Sequence, residues 1–291
     1  MNAEIVLASG NRSFFVDEIH YPCAFRDEQF ILIFAFAYAR ISLQAGLAGL
    51  WIPLMGTTSF SVNGSDALAK KGCIYGSDSK KHLVADVSAG SSCLAIIATQ
   101  SLWSASLAPW HAQPPQACAI FPAFHTANVG LRRRLLRFAR DYAKKRLERP
   151  NVSLLASSVI ELQSKFDPLL ARCPGSSART KRSTFWRLQR SINHVMFSRG
   201  YSVRVSELAL IAEYSLHAFI KVFYRVYGST PYAYITWLRV ERARQMLVNS
   251  DLAVEDVAMS VGIASRATFG RIVKRSLGQS ATAVRNKARL E

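Results

Sequence analysis

The sequence has few of the residues from which metal centres and disulfide frameworks are built. Its 291 residues include six histidines and five cysteines, with no Cys-x-x-Cys pair. Zinc sites usually pair cysteines at short spacing, and secreted disulfide frameworks usually use an even number of them. We therefore expect no metal and reduced, mostly buried thiols at all five positions, which are Cys23, Cys73, Cys93, Cys118 and Cys173.

Signatures of enzymes are also missing. No P-loop, Gly-x-Gly-x-x-Gly or Gly-x-Ser-x-Gly motif occurs. An octahedral metal site would need two or three histidines and a glutamate at close spacing, whereas His82 stands alone in the stretch that has a β pattern. The sequence therefore predicts a protein that is not an enzyme and has no cofactor.

Long hydrophobic runs are absent as well. The most apolar stretch, Phe30 to Tyr38, ends before Arg40, at about half of the roughly 20 residues that a membrane-spanning helix needs. The first residues, MNAEIVLASGNRS, lack the basic start and apolar centre of a signal peptide. These features predict a cytoplasmic protein that does not enter a membrane.

Acidic residues are scarce relative to basic ones, 19 against 37, which gives a net charge of +18 and a pI near 10.1. Residues 1–128 hold 7 basic and 8 acidic side chains, residues 129–180 hold 12 and 4, and residues 181–291 hold 18 and 7. An excess of this size favours binding to a polyanion, either nucleic acid or an anionic membrane surface. The polyanion is expected to meet the C-terminal half of the chain.

The N-terminal part, residues 1–128, has the texture of a β domain. Between Phe30 and about Leu107, short apolar or alternating runs are separated by Gly, Ser, Asn and Asp. This pattern predicts a β-sandwich or barrel, and the run SFSVNG predicts a strand that enters a turn at Asn63-Gly64. Residues 108–128 contain four prolines and form a connector.

Residues 129–172 have a helical texture and predict a hairpin of two amphipathic helices, one from Val129 to Glu148 and one capped by Asn151. Their apolar stripe is explained equally well by packing on the β domain and by a dimer contact. Residues 173–183, CPGSSARTKRS, have the composition of a linker. The last predicted domain, residues 184–291, is all-α.

Within that domain, the stretch from Val205 to Arg285 contains two copies of one structural unit. Matching residues stand fifty positions apart: Phe219 and Phe269, Lys221 and Arg271, Val222 and Ile272, Arg225 and Arg275, Gly228 and Gly278. Each copy reads as two short helices joined by a tight turn, with Ser206, Ser215 and Ser265 as helix starts. Between the copies, a helix from Tyr232 to Asn249, begun at Pro231, would span roughly 27 Å, so it could hold two recognition helices about one DNA turn, roughly 34 Å, apart.

Two segments carry a family resemblance. GSTPYAYITWLRVERARQML, followed by VAMSVGIASRATFGRIVKRSLGQS, resembles the DNA-binding domain of AraC/XylS-type bacterial transcription regulators. The similarity extends from about Leu188 to Arg285 and includes the Arg-x-x-x-Ala motif of Arg239 and Ala243. It implies two helix-turn-helix motifs that bind successive major grooves of promoter DNA. It further implies an activator that contacts RNA polymerase.

The resemblance also assigns residues to the DNA. The family's base-reading positions fall on His217, Ile220 and Lys221 in the first recognition helix, and on Arg266, Ala267, Gly270 and Arg271 in the second. Lys274 lies on the same outer face and is expected to contact phosphate. Three positions depart from the family pattern: Glu213 replaces a glycine, Ile263 a phenylalanine and Ala281 a proline.

The β region resembles, more faintly, the cupin-type domain that binds a small-molecule effector or mediates homodimerisation in such regulators. Trp51, Phe60, Tyr75 and His82 are candidates for an effector pocket or for ordinary core packing. Two other classes of function remain compatible with the residues. One is a cupin-like enzyme with a basic tail, and the other is a protein that binds polyanions by charge alone.

Overall fold

The computed structural model describes residues 4–9, 13–26, 29–62, 65–78, 80–110, 120–144, 152–198 and 203–290. The chain divides into two compact units, Met1–Asn193 and His194–Glu291. The first is a β-sandwich covered by helices and the second is all-α, which confirms the predicted fold class. The Asn63-Gly64 turn and the Asn151 cap lie outside the described residues.

Two sheets form the framework of the first unit. Its strands are β1 (Glu4–Ala8), β2 (Ser13–Val16), β3 (Ile31–Phe36), β4 (Arg40–Leu43), β5 (Leu47–Met55), β6 (Thr57–Val62), β7 (Ser65–Lys70), β8 (Cys73–Ser77), β9 (Leu83–Val87), β10 (Ser92–Thr99) and β11 (Ala123–Thr126). One sheet has the order β1-β3-β10-β5-β8-β11 and the other β2-β4-β9-β6-β7. The β1–β3 and β2–β4 pairs are parallel.

Among the described residues, six α-helices belong wholly or partly to this unit. They are α1 (Pro22–Phe25), α2 (Gln100–Leu107), α3 (Val129–Lys144), α4 (Val152–Gln163), α5 (Asp167–Arg172) and α6 (Ala178–Phe197). Of the predicted helix from Val129 to Glu148, the structure describes the part up to Lys144. The boundary between the two units falls inside α6.

The six-stranded sheet is buried on both faces. Leu32 and Ile96 on one face share a core with Leu135 of α3 and Val159 of α4. On the other face, the ring of Trp51 lies 5.5 Å from that of Phe60 in the second sheet. A strand buried on both sides has no polar face, which explains the continuous apolar run that begins at Phe30.

The apolar stripe of the helical hairpin packs against this sheet. Leu131, Phe138 and Tyr142 of α3 are buried in the same core as Leu155 of α4. The Tyr142 hydroxyl also accepts a hydrogen bond from the backbone N–H of Phe30, at 3.1 Å. Of the two explanations offered by the sequence, packing on the β domain accounts for the stripe.

The predicted linker, residues 173–183, is helical from Ala178 onward. Ser177 begins α6 because its hydroxyl accepts a hydrogen bond from the Thr180 N–H at 3.1 Å. Cys173 is buried, and the first compact unit extends along the chain to Asn193. The serines and basic residues that have a linker's composition thus form a helix start inside the first unit.

The second unit contains the repeat and is built around one long helix. Its elements are α7 (Val205–Ile211), α8 (Leu216–Tyr227), α9 (Pro231–Asn249), α10 (Val254–Ser260), α11 (Arg266–Leu277) and α12 (Ala281–Leu290). Near the start of α9, the Tyr234 ring packs 5.6 Å from Phe223 of α8. Near its end, Leu247 joins a core with Phe269 and Val273 of α11.

Candidate DNA-binding surface

The two predicted recognition helices, α8 and α11, begin and end in the same way. Ser215 accepts a hydrogen bond from the Ala218 N–H, and Ser265 accepts one from the Thr268 N–H. Gly228 and Gly278 end the helices with φ values of 71° and 72°, a left-handed conformation that glycine adopts without strain. The caps predicted from the repeat are confirmed, and both helices have 12 residues.

One face of each recognition helix is packed. Phe219, Phe223 and Val226 of α8 are buried, as are Phe269 and Val273 of α11. Val222 and Ile272, which the repeat also predicts to point inward, are half-buried. Because the inward faces are apolar, the opposite faces of both helices are left to solvent.

The helix before each recognition helix ends in an equivalent turn. The Tyr214 N–H donates to the Ala209 carbonyl at 2.9 Å, and the Ile263 N–H donates to the Ala258 carbonyl at 3.0 Å. Glu213 adopts φ 57° and Gly262 adopts φ 73°. The first motif therefore keeps the tight turn at Glu213, where the family pattern has a glycine, although glutamate disfavours this conformation.

The repeat changes its spacing at these turns. Ala209 and Ala258 are 49 positions apart, whereas Phe219 and Phe269 are 50 apart. The second turn therefore holds one additional residue, Ala264. The predicted cap at Ser206 is wrong, because α7 begins at Val205 and Arg204 is its N-cap residue.

Most side chains assigned to DNA lie on the outer faces. His217, Lys221, Ala267, Arg271 and Lys274 are exposed, and Arg266 is 75% exposed. Ile220 and Gly270, which occupy matching places in the two helices, are half-buried. A Cβ atom built on Gly270 would meet no atom within 4 Å, so the second outer face has an open gap at this point.

Charge is segregated between the elements of the second unit. Every charged residue of α8 and α11 is basic. These residues are Lys221, Arg225, Arg266, Arg271, Lys274 and Arg275. The acidic residues of the described part of the unit lie elsewhere, on α7, α9, α10 and the intervening turns. A negatively charged ligand therefore meets the outer faces of the recognition helices favourably.

The outer-face cations differ in how they are held. Arg266 donates from Nη1 to Glu255 Oε1 of α10 at 2.6 Å, and Glu255 is 58% exposed. Arg271 donates to the Thr268 hydroxyl at 3.4 Å. The Lys221 and Lys274 side chains have no hydrogen bond or ion pair with the residues that the structure describes.

Glu255 was not predicted from the sequence. It precedes Arg266 by eleven positions and lies on a different helix, so no helical spacing connects the two residues. Their contact depends on the geometry of the turn at Gly262. The sequence feature that could have indicated an acidic partner for Arg266 is the pair Glu255 and Asp256 at the start of α10.

The candidate effector residues of the first unit separate into two groups. Trp51, Phe60 and Tyr75 are fully buried and pack ring against ring between the sheets, with centroids 5.5 and 4.8 Å apart. The Tyr75 hydroxyl accepts a hydrogen bond from Asn193 Nδ2 at 3.2 Å, and burial raises the pKa of Tyr75. His82 is exposed and its Nε2 lies 2.6 Å from the Ser42 hydroxyl.

The described ranges contain neither a group of metal ligands nor a membrane-spanning helix. Among those residues, no three His, Cys, Asp or Glu side chains are grouped as metal ligands would be. None of the helices in the same ranges combines the length and the hydropathy that crossing a bilayer requires.

Comparisons with known proteins agree with this geometry. A helix-turn-helix domain family model matches residues 208–287. The RCS-specific HTH-type transcriptional activator RclR of Escherichia coli is 27% identical over 180 residues, which cover 60% of this chain and 62% of RclR. The regulator ExsA of Pseudomonas aeruginosa is 38% identical over 63 residues, which cover 22% of this chain and 23% of ExsA.

The matched segments thus span less than two thirds of the length of either relative. Among solved structures, the DNA-binding domain of AdpA, determined in complex with a target DNA, is 28% identical to this protein. The matched region covers 36% of this chain and 94% of the AdpA chain, with a TM-score of 0.35. The family model covers both turns, both recognition helices and the helix that joins them. Residues 208–287 therefore form a helix-turn-helix domain that is similar to those of the transcription regulators RclR and ExsA.

Proposed function

We propose that this protein is a sequence-specific DNA-binding transcription regulator that acts as an activator. The observation that carries the proposal is the pair of recognition helices, each capped at both ends, packed by one face and basic on the other. Nineteen residues of α9, about 28 Å of helix, connect the cores of the two motifs. This length suits two successive major grooves on one side of the DNA.

The two helices are proposed to contribute differently. Arg266 and Arg271 of α11 read guanine through bidentate hydrogen bonds to N7 and O6, each worth about 1–3 kcal/mol of discrimination. Lys221 in α8 contacts a base or a phosphate, and Ile220 contacts the methyl group of thymine. His217 and Ala267 lie beside these groups on the outer faces, and Lys274 binds phosphate.

Further partners complete the proposal. The activator acts on double-stranded promoter DNA and contacts RNA polymerase, and it works in the cytoplasm. The first unit controls it through a second copy of the chain or a small-molecule effector. The activator names of RclR and of the Yersinia enterocolitica regulator VirF support this direction of regulation.

The experiment is a binding-site selection from random double-stranded DNA with the full chain. The wild-type protein is expected to return one motif, and Arg266→Ala and Arg271→Ala are expected to lose preference for guanine at particular positions. Lys274→Ala serves as the matched control, because loss of a phosphate contact weakens all sequences equally. The proposal is wrong if the arginine variants return the wild-type motif with unchanged preference.

Salt dependence separates this function from binding by charge alone. Affinity for DNA of any sequence should fall linearly on a log-log plot against salt, with a slope of roughly −0.9 for each phosphate contact. A sequence-specific regulator keeps a large ratio between selected and unrelated DNA at physiological salt. A ratio near one would assign the protein to the non-specific polyanion binders.

A further inference from the structure

A cavity of about 620 Å³ lies within the first unit, beside α4, α5 and the start of α6. It is separate from the aromatic core of Trp51, Phe60 and Tyr75, and its volume is in the range of small-molecule sites. Phe121, Ile160 and Leu170 supply apolar surface to its lining, and Lys181 and Arg182 supply positive charge. The cavity therefore offers both apolar surface and cations to a ligand.

The polar part of the lining is held in place by the turn before α6. Gly175 has φ +138°, and a Cβ atom at this position would lie 2.9 Å from the Thr180 side chain. The close approach places Ser176 and Ser177 in the cavity lining beside the first turn of α6. The Ser177 hydroxyl is fixed there by the Thr180 N–H at 3.1 Å and the Thr180 hydroxyl at 2.8 Å.

Two cations face this space from α6. The Lys181 side chain is half-buried and makes no hydrogen bond or ion pair with any residue that the structure describes. The Arg182 guanidinium lies 4.9 Å from the centre of the Phe121 ring, which places its charge against the apolar part of the lining. Among the described residues of the lining, Asp167 at the start of α5 is the one carboxylate, so the side chains of these residues carry a net charge of +1.

We propose that this cavity binds a small organic carboxylate with an apolar body. Lys181 and the start of α6 would hold the carboxylate, and Phe121, Ile160 and Leu170 would cover the apolar part. A net charge of +1 matches a single negative charge better than the two charges of a phosphate monoester.

The position of the cavity gives the ligand a route to regulation. Helix α6 starts at the cavity, and its last residues, from His194 onward, belong to the second unit. A ligand that orders the first turn of α6 would therefore act on the element that continues into the DNA-binding unit. This effector role rests on the proposed function, whereas binding of the carboxylate itself does not.

The test is isothermal titration of the full chain with benzoate, 1-naphthoate and decanoate, and with the matching neutral amides. At least one carboxylate is expected to bind with 1:1 stoichiometry, and at least tenfold more tightly than its amide. Lys181→Met is expected to remove at least tenfold of the carboxylate affinity while leaving amide binding unchanged. Lys181→Gln gives a second readout if the methionine variant does not fold.

Arg179→Met is the matched control, since Arg179 is exposed on the same turn of α6 and does not line the cavity. It removes the same charge and should retain wild-type binding. Equal binding of acids and amides, equal losses in the Lys181 and Arg179 variants, or no saturable binding by any of the three acids would overturn the proposal. DNA selection by Lys181→Met without ligand should match wild type, so failure here is distinct from failure of the proposed function.

Discussion

Glu213 and Gly262 adopt the same left-handed backbone conformation, φ 57° and φ 73°, at equivalent points of the two helix-turn-helix motifs. For a residue with a Cβ atom, this conformation costs roughly 1–2 kcal/mol relative to glycine. The first motif therefore carries backbone strain that the second does not. Both turns nevertheless make the same closing hydrogen bond, to Ala209 and to Ala258.

Replacing Glu213 by glycine should stabilise the second unit. We expect Glu213→Gly to raise the free energy of unfolding by about 1 kcal/mol, measured by urea denaturation of the full chain followed by circular dichroism. Gly262→Ala should lower the same quantity by a similar amount, because alanine must adopt the left-handed conformation there. Glu213→Ala is the control that removes the glutamate side chain and keeps the strain, and a gain as large as that of glycine would contradict the explanation.

Gly270 lies on the outer face of α11 with open space around it. We expect Gly270→Ala to raise the free energy of unfolding by about 0.8–1 kcal/mol, because glycine is a poor helix former. If its backbone approaches the bases, the same variant should bind selected DNA several-fold more weakly. Fluorescence anisotropy and denaturation on one preparation measure both effects.

Ser276→Ala is the control for Gly270→Ala. Ser276 is exposed on the same helix but points away from the assigned DNA face at helical spacing. Its substitution should change DNA affinity by less than twofold. Unchanged affinity in Gly270→Ala as well would place α11 in a different orientation on DNA.

Glu255 holds Arg266 in the free protein through an exposed ion pair. Glu255→Gln should change the free energy of unfolding by less than about 1 kcal/mol, because solvent-exposed pairs contribute little. DNA affinity should rise several-fold at low salt, since a negative charge is removed beside an arginine assigned to base contact. Asp256→Asn removes the same charge from the neighbouring position, so an equal rise there would show a general charge effect and not release of Arg266.

His125 makes the first unit sensitive to mild acid. Its side chain is 2% exposed and its Nδ1 lies 3.0 Å from the Leu162 carbonyl. Burial, with the nearby Lys165 charge, lowers its pKa from 6.5 to about 3. Below pH 6.5, His125 is therefore protonated in the unfolded chain but not in the folded chain. The free energy of unfolding falls as the pH decreases from 6.5 toward 3.

By pH 5 this one group should have removed about 2 kcal/mol of unfolding free energy relative to pH 7.5. His125→Gln should be less stable at pH 7.5 but should lose less on acidification over the same interval. Parallel curves for His125→Gln and wild type between pH 7.5 and 5 would show that another group is responsible.

Several features of the fold followed from local rules in the sequence. The serine caps at Ser215 and Ser265 and the glycine ends at Gly228 and Gly278 depend on residues within one helical turn of each terminus. The apolar spacing of Phe219 and Phe269 likewise determines which face is packed. For these caps and packed faces, the local sequence and the tertiary structure favour the same conformation. The structure therefore confirms what the fifty-residue spacing predicted for them.

Other features depend on contacts between distant residues. The composition of residues 173–183 resembles a linker, yet the closing of Gly175 on Thr180 converts it into a helix start. The partnership of Arg266 with Glu255 is set by turn geometry, and the turn at Glu213 persists because the surrounding hydrogen bonds and core impose it. The local sequence does not distinguish a linker from a helix start at residues 173–183. It likewise does not indicate the ion pair of Arg266 or the conformation of Glu213.

Helix α9 contributes to the cores of both helix-turn-helix motifs, through Tyr234 at one end and Leu247 at the other. Each residue added to or removed from its middle would rotate one motif against the other by about 100° and shift it by about 1.5 Å. Changes near whole helical turns preserve the angular phase of the recognition helices but alter their separation along the DNA. If the protein acts as the proposed DNA-binding regulator, the spacing of its operator would therefore depend on the number of residues in α9.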